Sequence, residues 1–206
     1  MILVDLELTI GYGSNKNWVG FFERKTKFKK EVLLEAISFF LDFFENEIND
    51  FIIATSYYVD SEKLISKQEF RILKDVLKAE IDLINQNYIN TISFNEYFDC
   101  DDIEYKKRLS SLNNKFIFLK SNKNLIKKFS LVGMGESHLG FDDGHCFFVS
   151  IKNNIIIYPH GDNTGYGCFI IDKDKDSVAF EFLKKANELK SFRSNFKVDM
   201  QTKSVH

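Results

Sequence analysis

The residues of this sequence that could carry chemistry crowd into one stretch, GMGESHLGFDDGHCFF (133–148) followed by YPHGDNTGYG (158–167). Three of the chain's four histidines lie there, His138, His145 and His160, together with Glu136, Asp142, Asp143 and Asp162. Seven of the ten glycines, at 133, 135, 140, 144, 161, 165 and 167, fall in the same window. Imidazoles and carboxylates on two neighbouring loops are the donor types that hold zinc or another divalent ion with a position open to water. On that reading His138, Asp142, His145, His160 and Asp162 are the metal-ligating candidates of a metal-assisted hydrolase. The same letters have a second reading. Asp142-Asp143-Gly144 and Gly161-Asp162-Asn163 are residue types that β-turns require, for positive φ and for side-chain bonds to their own backbone. No HExxH, HxHxDH or CxxC spacing decides between the two.

Other chemical patterns fail on particular residues. GMGES (133–137) lacks the Lys-Ser/Thr and the helix of a phosphate loop, and GYGSN (11–15) lacks a third glycine. Ser137 and His138 are merely adjacent, and no G-x-S-x-G elbow occurs. The three cysteines, Cys100, Cys146 and Cys168, form neither a disulfide framework nor a metal knuckle. Cys146 and Cys168 fall within expected strands and read as buried thiols. No catalytic residue and no cofactor are assigned.

Charge offers a different class of function. NEYFDCDDIE (95–104) holds Glu96, Asp99, Asp101, Asp102 and Glu104 and no basic residue, a local charge of −5. Five carboxylates without a lysine repel one another unless a basic partner faces them. Glu31, Glu35, Ser38, Asp42 and Glu45 recur in steps of three and four and share one helix face, which is a solvated face or a second acidic surface. Such surfaces mimic a nucleic-acid backbone to a basic toxin and speed its association. The basic runs ERKTKFKK (23–30) and KSNKNLIKK (120–128) bracket no nucleic-acid-binding signature, so nucleic acid is not an expected partner.

Positioning these residues requires an α+β fold. Residues 2–10 and WVGFFERK (18–25) read as a β-hairpin around the GYGSNKN turn. A helix follows from about Lys29 to Glu47, burying Leu33, Ile37, Phe40 and Phe44. FIIATSYYV (51–59) is a buried strand. A second helix begins at Ser66, where Ser66 and Glu69 form a capping box ahead of Phe70, Leu73, Leu77, Ile81 and Ile84. KFIFL (115–119) is a strand and NKNLIKK (122–128) a short basic helix or loop. FSLVGMG (129–135), HCFFVSI (145–151), IIIYP (155–159) and GCFII (167–171) read as a four-strand antiparallel meander, its middle pair joined by a tight Asn153-Asn154 turn. Pro159, the chain's one proline, ends its ladder. A helix from Asp176 to about Leu189 closes the order, burying Ala179, Phe182, Leu183 and Ala186. The expected whole is a mainly antiparallel sheet packed on three or so helices. In that meander the loops 136–144 and 160–166 share one end of the sheet.

The 206 residues, 44% hydrophobic and 28% charged, suffice for one domain with a real core. Residues 1–206 are read as one domain. Any division would fall in 86–114, leaving lobes 1–90 and 115–206. A net charge of −2 supplies no global field toward nucleic acid or anionic lipid. The longest apolar stretch, 32–48, is broken by four carboxylates, each costing about 2.5–3.5 kcal/mol at a bilayer centre, so no membrane span is expected. With no signal-like start and no disulfide pattern, the expected compartment is the cytoplasm.

The C-terminal segment FDDGHCFFVSIKNNIIIYPHGDNTGYGCFIIDKD…AFEFLKKAN resembles immunity proteins that neutralise bacterial polymorphic toxins, including those of contact-dependent growth inhibition. Asp142-Asp143-Gly144, Asp162 and Gly165 carry the likeness, over about 50 residues. It implies a stoichiometric inhibitor of a cognate protein toxin, and the acidic surfaces suit a basic one such as a nuclease. Under this reading the partner-binding candidates are Glu96, Asp99, Asp101, Asp102, Glu104, Asp142, Asp143 and Asp162.

Overall fold

A computed structural model describes residues 13, 15–55, 117–139, 145–161 and 164–197. In chain order these form β1 (Trp18–Arg24), α1 (Lys30–Phe43), a 3-10 turn (Ile48–Asp50), β2 (Ile52–Thr55), β3 (Ile117–Lys120), α2 (Lys123–Leu139), β4 (Cys146–Ser150), β5 (Ile155–Pro159), β6 (Gly165–Ile170), α3 (Ala179–Glu188) and β7 (Phe192–Phe196). The seven strands make one antiparallel sheet in the order β3-β2-β4-β5-β6-β1-β7. The fold is α+β.

The helices follow their apolar periods. Leu33, Ile37, Phe40 and Phe44 are buried along and just beyond α1 while Glu31, Asp42 and Glu45 stay exposed. Ala179, Phe182, Leu183 and Ala186 are the buried stripe of α3. The side chain of Asn122 accepts the Leu125 N–H at 2.9 Å, capping the start of α2. One continuous core joins all three helices to the sheet through Phe22, Ile53, Phe148, Ile157, Tyr166 and Cys168. Residues that alternate with these point to the opposite face. There Trp18, Phe147, Val149, Ile156, Tyr158 and Phe169 are buried as well, with the Trp18 indole N–H donating to the Tyr158 hydroxyl at 2.9 Å. Burial on both faces is why CFFVS and IIIYP read as unbroken apolar runs instead of alternating ones.

Several expectations are corrected. FSLVGMG (129–135) is not a strand but the middle of α2, so the four-strand meander reduces to the three strands β4-β5-β6. Residues 128–135 are buried without interruption. A helix apolar on every side shows no 3.6-residue stripe, and a short apolar run alone does not separate it from a strand. The hairpin partner expected for β1, residues 2–10, lies outside the described residues. Gly20–Glu23 of β1 are instead flanked on both edges by β6 and β7, strands far away in sequence. The β4–β5 turn has four residues, Ile151–Asn154, not two, since Ser150 pairs with Ile155. Its positive φ sits at Asn154 (50°). The Asn154 amide also donates to the Asp172 and Lys175 carbonyls and accepts the Asp172 N–H, all at 2.7–3.0 Å, tying the hairpin to the turn before α3. β7 has no counterpart in the sequence reading. The helix expected from Ser66 and the acidic segment 95–104 lie outside the described residues.

Candidate functional site

β4 begins and β5 ends at the same end of the sheet, where β2 also ends and β6 begins. The sharing of one sheet end by the loops around His145 and His160 thus survives the conversion of residues 129–135 to helix. His145 stands immediately before β4 and His160 immediately after β5. Extending the register Phe148↔Ile157 by three residues would set the two histidines opposite one another. The ladder itself stops at Phe148↔Ile157. The next hydrogen-bonded pair would join Cys146 to Pro159, and proline has no N–H to give. Pro159 still pairs on its other side, with Tyr166 of β6.

Each histidine has its own support. The Thr55 hydroxyl donates to the His145 carbonyl at 3.0 Å, and the His145 ring stacks on Phe147 (centroids 6.2 Å apart, 14° between planes). Burial holds the His145 imidazole below its ordinary pKa, favouring the neutral ring. The His160 N–H donates to the Gly165 carbonyl at 2.8 Å, and its ring lies 4.8 Å from Phe21 and 6.3 Å from Tyr158. A neutral imidazole is the form that ligates a metal or accepts a proton.

On the His160 side, where β6 begins and β1 ends, the sheet end is polar and tightly bonded. Thr164, fully buried with φ 52°, accepts the Arg24 guanidinium at 2.8 Å. Arg24 in turn lies over the Phe28 ring at 5.8 Å. Glu23 is buried and accepts from Nε and Nη2 of Arg193, each at 2.8 Å, and from Asn195 at 3.0 Å. Tyr158 lies directly over Gly167, where a Cβ would come within 2.0 Å of the ring, so this glycine serves packing. Beneath the sheet the Tyr166 hydroxyl donates to Ser130 of α2 at 2.6 Å.

Of the metal-ligating candidates, His138 falls in the last turn of α2, His145 and His160 are as described, and Asp142 and Asp162 lie outside the described residues. Among the described residues no group of three or more His, Cys, Asp or Glu is placed to hold a metal ion. Asp143 and the acidic residues Glu96, Asp99, Asp101, Asp102 and Glu104 also lie outside them. Cys146 and Cys168 are buried and form no disulfide among the described residues, and burial pushes the Cys168 pKa up. Trp18 is buried. Sequence reasoning missed Arg24–Thr164 and Glu23–Arg193. Each pair spans 140 or more residues, and neither carries a local signal.

The acidic face of α1 is laid out as its spacing predicts. Glu31, Asp42 and Glu45 are exposed and Glu35 half-buried. Glu45 pairs with Lys123 at 3.6 Å and Asp42 accepts the Ser38 hydroxyl at 3.2 Å, whereas Glu31 and Glu35 make no ion pair among the described residues. No described helix is long and apolar enough to cross a membrane. Comparison of the chain with protein-family models, curated proteins and solved structures finds no match.

Proposed function

We propose that this chain is a cytoplasmic immunity or inhibitor protein that neutralises a cognate bacterial toxin by stoichiometric binding. The observation that carries the proposal is the acidic, solvent-facing side of α1, which leaves Glu31 and Glu35 without a cationic partner among the described residues while its other side is anchored in the aromatic core. A rigid helix displaying unneutralised carboxylates is what a basic nuclease or similar toxin would dock against, because the complementary field raises the association rate. The partner's contacts would extend to Glu96, Asp99, Asp101, Asp102 and Glu104 and to Asp142, Asp143 and Asp162.

The test is to capture the tagged protein from its host, identify an equimolar partner that survives a moderate salt wash, and titrate the purified partner's toxic activity. One equivalent of this chain should abolish that activity. Replacing Glu31, Glu35 and Asp42 by lysine should slow association at least tenfold at low ionic strength, with the difference closing at high salt. A partner whose activity is untouched by a full equivalent would sink the reading.

A second reading, the metal-assisted hydrolase, is favoured by the placement of His145 and His160 at the same sheet end. His138, Asp142 and Asp162 would complete its ligand set. Calorimetric titration of the folded protein with zinc or manganese should then show one site, weakened at least tenfold in His160→Ala. No heat of binding with either ion would end the metal reading.

A further inference from the structure

We draw no further inference here: the strongest candidate, the exposed surface patch where Phe180 at the start of α3 stacks on Phe196 at the end of β7, is an apolar face at the sheet edge and nothing in the structure shows what covers it.

Discussion

At the scale of single residues, burial and backbone geometry make separable predictions. Gly20 holds φ at 151° where β1 shifts register against β6, and a Cβ there would lie 2.2 Å from the Asn195 carbonyl oxygen. Gly20→Ala should therefore cost about 3 kcal/mol in urea unfolding, since both the dihedral and the neighbouring strand resist it. A change under about 0.5 kcal/mol would show that β1 and β7 do not meet as described. His145 makes a pH prediction. Burial lowers its pKa in the folded state, so below about pH 6.5 the unfolded chain binds a proton that the folded one refuses. Its contribution is intact above that pH and fades as pH falls toward the lowered value. His145→Gln should narrow the stability difference between pH 7.5 and 5.5, and an unchanged difference would refute it. Tyr166 acts at the other extreme. Burial raises its pKa, so stability is lost as pH rises past the ordinary tyrosine value of about 10. Tyr166→Phe should flatten that alkaline decline while costing about 1–2 kcal/mol at neutral pH for the lost bond to Ser130.

Among the elements, β7 shows how an edge strand with little apolar content is kept in place. Its sequence FRSNF has no β-branched residue, and it is held by pairing with β1 and by α3. The Ser194 N–H donates to the Asn187 side chain at 3.0 Å, and the Ser194 hydroxyl donates to the Leu183 carbonyl. Occupying an outward N–H also denies it to another chain's strand. Asn187→Ala should lower stability by about 1 kcal/mol and hasten aggregation on mild heating, followed by light scattering. If aggregation is unchanged, this bond does not guard the edge. α2 teaches a complementary lesson. Its first turns read as a short basic helix or loop over 122–128, but its later turns did not read as helix, because buried Phe129, Leu131, Val132 and Met134 leave no polar stripe to reveal the period.

Over the whole molecule, aromatic rings join the layers. Phe182 of α3 lies 5.1–6.3 Å from the rings of Phe22, Phe39, Phe40, Phe43, Phe44 and Tyr166, linking β1, β6 and the α1 region. Phe182→Ala should cost about 3–5 kcal/mol, lowering helix and aromatic circular-dichroism midpoints together. Separate midpoints would mean that α3 does not share the core of α1 and the sheet. The candidate functional surfaces sit around this core in different places. The acidic face belongs to the outside of α1, and the two histidines belong to one end of the sheet. A binder needs the first and a metal enzyme the second, so charge reversal on α1 and His160→Ala test the two proposals independently.

Periodicity determined the amphipathic helices α1 and α3, and apolar β-type runs bounded by turn residues marked the strands β4 and β5, although the turn between them has four residues and not two. Each depends on contacts within one element or one turn, which leave a repeat or a residue-type signature in the chain. The tertiary structure decided that residues 129–135 are helical, that β1 lies between β6 and β7, and that Arg24 meets Thr164 and Glu23 meets Arg193. These outcomes rest on burial from several sides and on pairings 140 or more residues apart for Arg24 and Glu23, and interactions at that separation impose no local pattern.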